Sequence, residues 1–414
     1  MRAESTLGRR PTLLLLTAAT AIAAMGLAAG GSAGALLAED ITGSTTWAGM
    51  PLGVLVLGSA AGALLISRQT SRAGRGAGLV LGYTLGGAGA VIVVFAAQIE
   101  NLALLLAGSA ALGAANAAIF LTRYAAADLG EDSGRGRALG VVFFATALGA
   151  VASPNLLGPS GDLAEVLGLA PLSGLYLVAF GAFGAAGALL AALPRRALPV
   201  GSERVPRRVA RTGLRGARFS LLVLGVTNFV MVAVMAVAPV HLVAHGHGLD
   251  FVGVVVGVHV LCMFAPSLFT GWLADRAGGA SVAALGAALL VAAGGSGAVL
   301  DLSSGWAMTA VLALLGLGWN AGVVGGSTML AASVPAALRP QTEGIGEVAM
   351  GLAAGAGAPT AGVVVALGDI SALSIAGAVG GALMLMALRF GERAPGSSNQ
   401  ARHDAAWVGG AGRR

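Results

Sequence analysis

The sequence predicts an all-α polytopic membrane protein with twelve transmembrane helices in two six-helix parallel repeats. Three observations carry that prediction: an apolar composition far outside the soluble range, twelve apolar runs of spanning length, and one central polar stretch that divides them six and six. Of 414 residues, 57% are hydrophobic and only 10% charged, with a mean hydropathy of +0.86. Soluble domains carry roughly a quarter charged residues, so an ordinary aqueous globule is excluded. A hydrocarbon layer of about 30 Å needs roughly 20 residues per helix, and twelve such helices fit the chain. The 67 glycines sit inside apolar runs, where small residues let helix backbones approach closely. Cys262 is the single cysteine, so neither an intramolecular disulfide nor a Cys-based zinc site is available.

In chain order the apolar segments cover 11–37, 47–67, 76–98, 101–124, 137–158, 172–193, 219–243, 250–274, 278–300, 305–331, 341–367 and 370–390. Segment 1, entered through Arg9-Arg10-Pro11, runs well past a signal-peptide core of about 7–15 residues and is read as the first helix. The arginine-rich stretch after segment 6 sets the expected domains: an N-terminal half over 1–193, a cytoplasmic basic linker over 194–218, a C-terminal half over 219–390, and a disordered cytoplasmic tail over 391–414. Lysine is absent, and an even number of spans puts all 24 arginines on one face. The opposite loops carry Glu39, Asp40, Glu100, Asp162, Glu165, Asp250, Asp301 and Asp369 beside His245 and His247. By the positive-inside rule both termini are cytoplasmic, in the cell membrane (the bacterial inner membrane). The net charge of +6 then reports topology and anionic-lipid contact. Nucleic acid is not an expected partner, since no basic module interleaved with aromatics is present.

The halves echo one another. Arg72-Ala73-Gly74 recurs 204 residues later as Arg276-Ala277-Gly278, and Asn116 and Asn320 share that offset, as do Gly158 and Gly362. An even number of spans per half makes the repeats parallel, related by an axis along the membrane normal.

Gly271-Trp272-Leu273-Ala274-Asp275-Arg276-Ala277-Gly278-Gly279, after segment 8, resembles the loop signature of the major facilitator superfamily. The resemblance implies that Asp275 caps the start of segment 5 in the opposite half, with Gly271, Arg276 and Gly278 in the same conformational device. A carboxylate at a helix start contributes about 0.3–1 kcal/mol when exposed. The first-half copy has Ser71 where the acid belongs, which puts the matching latch at segment 11 in doubt. Gly149 through Pro159 resembles a signature associated with the superfamily's antiporters: Pro154 is expected to bend the helix, and Gly149 and Gly158 to allow close packing at the pivot between halves. The superfamily's arginine-bearing motif of segment 4 has no counterpart within 101–122, and Arg123 is read as an interfacial anchor. Met235 to His241, His259 to Ser267, and Gly318-Trp319-Asn320 resemble a poorly characterised prokaryotic branch of facilitator-type efflux proteins.

These readings imply a secondary transporter, working as a monomer, whose partners are a small-molecule substrate, protons and the bilayer. Export of small amphipathic compounds is the expected direction, with nutrient or metabolite import as the alternative. Asn116, Asn228, His259, Trp319 and Asn320 are the candidate substrate-binding residues, because amides orient a ligand and indole offers an apolar face. Glu347 is the candidate proton-coupling acid. Glu343 and Glu347 lie i,i+4 in segment 11, with Glu343 expected to be solvated or paired near Arg339 and Glu347 one turn deeper. His241, His245, His247 and His259 with Met231, Met235, Cys262 and Met263 leave soft-metal transport as a lesser alternative, although no resident metal or other cofactor is expected. No HExxH or Walker loop is present, so an enzyme is not expected.

Overall fold

The computed structural model describes residues 8–26, 33–44, 47, 49–130, 134–152, 156–194, 197–198 and 207–392. Apolar runs become helices because, without water, each backbone N–H and C=O must bond within its own segment. The hydroxyls inside these runs do the same: those of Thr20, Thr122 and Thr328 each donate to the carbonyl four residues back, at 2.7–2.8 Å.

The N-terminal half contains α1 (Arg9–Ala24), α2 (Gly34–Thr42), α3 (Met50–Ala73), α4 (Arg75–Gln98), α5 (Leu102–Leu129), α6 (Arg135–Ala152), α7 (Leu157–Val166) and α8 (Gly174–Ala191). The C-terminal half contains α9 (Arg207–Ala244), α10 (Leu249–Phe264), α11 (Ser267–Ala277), α12 (Gly279–Val299), α13 (Gly305–Ser333), α14 (Arg339–Leu367) and α15 (Ile370–Glu392). No strand occurs among the described residues. Ten passages are long and apolar enough to cross a membrane, α10 and α11 counting as one passage broken at Pro266. The remaining two predicted segments, 11–37 and 137–158, are each represented by two shorter helices, α1 with α2 and α6 with α7. Pro154, the residue expected to bend the fifth segment, lies outside the described residues.

Several boundaries differ from the sequence reading. Segment 4 is expected to end at 124, yet α5 continues to Leu129, which leaves Arg123 within the helix and paired inside the protein. The helix of segment 7 begins at Arg207, so the second part of the 194–218 linker is helical.

The repeat is visible in the backbone. Gly74 and Gly278 join α3 to α4 and α11 to α12 with φ of 95° and 87° and ψ of 163° and 152°. Positive φ is strained for any residue with a Cβ, which accounts for glycine at both places. The two halves meet through α3 against α14 and α6 against α11. A Cβ on Gly271 would collide with the Gly136 backbone, and one on Gly140 with the Ser267 carbonyl, so α6 and α11 touch nearly backbone to backbone. Gly344 lies equally close to Ser67 of α3, and Gly351 lies against Ala60. Gly355 and Gly362 continue the same face of α14 but have nothing within 4 Å, and Gly53 at the far end of α3 is likewise open. The halves are therefore closed at the end carrying the arginine-rich loops and part toward the other end.

Candidate functional site: buried ion pairs between the halves

Two glutamates of α14 reach across the interface to two arginines of the N-terminal half. Arg75, the first residue of α4, donates through Nη1 and Nη2 to both oxygens of Glu343 at 2.7 and 2.9 Å. Its Nε donates to Asp128 at 2.6 Å, and Asp128 also accepts from Arg339 at 3.0 Å. One turn deeper, Arg123 Nη2 donates to Glu347 Oε1 at 2.5 Å. The side chains of Arg123 and Glu347 are 1% and 8% exposed. Burial this complete requires that every remaining donor be matched, since an unpaired charge in an apolar interior is expensive. Arg123 meets that demand with the Phe120 carbonyl, Tyr124 Oη and Ser327 Oγ, and its guanidinium lies 4.5 Å from the Tyr124 ring centre and 5.3 Å from that of Phe143. Ser327 is the residue 204 positions after Arg123, so the arginine bonds to its own counterpart in the other repeat.

This geometry corrects one reading and completes another. Arg123 is not an interfacial anchor but the buried countercharge of Glu347; because α5 extends six residues beyond it, its place in the sequence hid its depth. Glu343 is paired, one of its two expected states, but at 1% exposure it is not solvated, and its partner is Arg75, while Arg339 turns to Asp128. Neither arginine was a sequence candidate. The available signal was the pair of glutamates itself, since two buried acids on one helix face demand two countercharges from a facing element.

Asn228 and Trp319 join this network. Trp319 Nε1 donates to Asn228 Oδ1 at 3.0 Å, and Asn228 Nδ2 donates to the carbonyl of Met350, one turn from Glu347. Trp319 also packs edge-on against Phe143 and Phe264. The other candidate binding residues are not brought to one open cavity. Asn320 is 1% exposed, with its amide committed to Met263 O, Ser267 Oγ and Thr270 Oγ1. Asn116 reaches Ser59 across α3 and α5 at 3.0 Å. His259 is buried with Nδ1 2.8 Å from the Leu312 carbonyl. In lipid, such groups bond to a neighbouring helix rather than stay unpaired, and in this conformation all three serve that purpose.

At the closed end, Asp275 accepts from the backbone N–H groups of Gly136 at 2.5 Å and Arg137 at 3.0 Å, the first turn of α6 in the opposite half. Arg137 adds a 3.6 Å charge contact, and Arg276 lies over the Trp272 ring. The first-half copy is differently built: Ser71 Oγ bonds to Ser67 of its own helix. Position 340, which is 204 residues after Gly136, is proline, with no N–H to be accepted. The missing acid and the missing donor go together, and the Arg75–Glu343 pair holds that side instead.

Two glycine readings also change. Gly149 packs against Ala21 and Ala24 of α1 in its own half, and Gly158 has open space beside it, so neither forms a pivot between halves. Gly136, Gly140 and Gly271 make that contact backbone to backbone, and Gly344 makes it against the Ser67 side chain. The histidines near α9 do not converge on one point. His241 and His245 stack at 4.1 Å, His247 bonds to the Ser303 carbonyl, and no metal-holding group of three or more His, Cys, Asp or Glu occurs among the described residues. Nearby, two hydrogen bonds from Ser303 hold the Asp301 carboxyl below the usual range.

Two parallel helical halves, tied at one end and joined by buried charges across their interface, have the architecture of a membrane transporter. The chain belongs to the Major Facilitator Superfamily, whose profile matches residues 14–319. Among its relatives are two uncharacterized MFS-type transporters of Bacillus subtilis (strain 168). YddS is 35% identical over 384 residues, covering 89% of this chain and 88% of the relative, and YdeG is 35% identical over 388 residues, covering 91% and 90%. The riboflavin transporter RfnT of Brucella anthropi is 29% identical over 372 residues, covering 84% and 87%. Of solved structures, the E. coli fucose:proton symporter FucP superposes with a TM-score of 0.75 over 93% of this chain and 99% of that one, at 16% identity. A bacterial homologue of the iron transporter ferroportin, in an outward-facing state, gives 0.73 over 92% of this chain at 13% identity. At such identities the likeness is one of fold.

Proposed function

We propose that this transporter couples proton movement to the export of small amphipathic compounds, with Glu347 as the coupling acid. The observation that carries the reading is the Arg123–Glu347 ion pair, buried between the halves and within the spans. A carboxylate that binds a proton there loses its charge, and with it most of its attraction for Arg123. The contact between α14 and α5 weakens, and the halves are free to rock. Loss of the proton on the other side restores the pair and the closed conformation. Asp275, with Gly271, Arg276 and Gly278, governs closure of the arginine-bearing end, while Asn228 and Trp319 stand where a substrate reaching the network would meet an amide and an indole face. Under the orientation expected from the arginines, the present conformation faces outward. Export is supported by the antiporter-like stretch 149–159. Import of a nutrient or metabolite by the same fold is the second reading.

The test is flux in proteoliposomes with an imposed pH gradient and ethidium as probe. Glu347→Gln should abolish gradient-driven flux yet keep exchange of ethidium across the membrane, because the amide imitates the protonated acid. Gradient-driven flux equal to that of the unmodified protein would remove Glu347 from the coupling role.

A further inference from the structure

Aromatic residues make up only 5% of this chain, yet several of them meet at one place between the halves. Phe143 of α6 contacts Phe264 of α10 and Trp319 of α13 at centroid distances of 6.1 and 6.2 Å, and Phe264 and Trp319 are 5.5 Å apart. Phe120 of α5 continues the group at 6.4 Å from Phe143. Phe120 and Phe143 belong to the N-terminal half, Phe264 and Trp319 to the C-terminal half, so the ring contacts cross the surface along which the halves separate. All but Phe120 are almost fully buried. When the halves part, rings that straddle this interface lose one another and need a replacement partner to stay out of water.

Resting on the transport reading, we propose that the substrate is a compound with a planar aromatic ring system, which enters between Phe143 on one side and Phe264 with Trp319 on the other as the halves part. The substrate replaces ring contacts that rocking would otherwise lose, and so selects the conformation that admits it. Polar groups border the same space: Asn228 receives the Trp319 N–H and can exchange that bond for a ligand's, and the Arg123 guanidinium lies against Phe143. The substrate therefore combines a flat apolar face with a hydrogen-bonding edge.

The experiment compares aromatic probes with non-aromatic partners on the purified full-length protein. Thermal stabilisation and counterflow in proteoliposomes without a pH gradient are measured for ethidium, acridine orange and riboflavin beside tetrabutylammonium and ribitol. The aromatic probes should stabilise the protein and exchange, and the non-aromatic ones should do neither. Phe143→Leu, which keeps apolar bulk without a ring, should weaken apparent affinity for the responding probes about tenfold, while Phe143→Tyr should restore it. Should Phe143→Leu not fold, the corresponding Phe264→Leu and Phe264→Tyr pair reads the same contact. Equal behaviour of aromatic and non-aromatic probes, a Leu variant matching the unmodified protein, or no response to any of the three aromatic probes would each overturn the proposal. Because counterflow needs no gradient, ring selectivity without pH-driven flux would defeat proton coupling and leave this inference standing; pH-driven flux of tetrabutylammonium alone would do the reverse.

Discussion

Arg123 and Glu347 hold opposite charges where neither could remain alone. Removing one partner of a buried pair costs roughly 3–5 kcal/mol, chiefly because the other is left uncompensated, whereas removing both charges together is often close to neutral. Arg123→Gln should therefore lower the detergent-solubilised Tm strongly. Adding Glu347→Gln to that variant should recover more than half of the loss, as read by tryptophan fluorescence on heating. Additive losses in the double variant would mean that the two side chains act independently, against their 2.5 Å contact. The acids of this site were legible in the sequence because a carboxylate inside an apolar segment stands out by itself. The arginines were not. Arg75 and Arg123 sit at what look like segment ends, and their partners lie 268 and 224 residues away, a distance no periodicity reports.

The elements that close the arginine-bearing end differ between the repeats in a way that local chemistry explains. Asp275 accepts two backbone N–H groups where the dipole of α6 presents its positive end. Ser71, at the equivalent place, bonds within its own helix, and the equivalent helix start, that of α14, has proline where the N–H would be. Asp275→Asn should consequently reduce transport several-fold at matched membrane expression, while Ser71→Ala leaves it near the original rate. Equal losses would show that the closed end does not depend on this carboxylate. Most of the helices could be read from hydropathy alone, and Asp275 from its loop. The breaks could not: the α10–α11 break turns on Pro266 inside an otherwise continuous apolar run, and the replacement of the first-half latch by Arg75–Glu343 is a tertiary pairing with no local mark in either segment.

At the scale of the whole molecule, the division into six and six was legible because the linker is the one long polar stretch between apolar segments, and the 204-residue offset reappears as twin glycine turns with matching φ and ψ. The direction in which the halves part was not legible, because small residues line the meeting faces of α3 and α14 along their whole length, and only the structure distinguishes those in contact, Gly344 and Gly351, from those in the open, Gly355 and Gly362. Which side of the membrane that opening faces follows from charge. Moving arginine-rich loops across a bilayer is opposed, so we propose that the end holding Arg68, Arg72, Arg137 and Arg276 lies in the cytoplasm and the acidic loop containing Asp301 outside. Two reporters in a protein with Cys262 replaced by Ala test this. Ser304, exposed beside that acidic loop, makes no side-chain cap for α13, and Ser71 is exposed near the arginine-bearing end. Ser304→Cys should react with an impermeant maleimide in intact cells, and Ser71→Cys only after the membrane is opened. The reverse pattern would invert the protein in the bilayer and turn the present conformation into an inward-facing one.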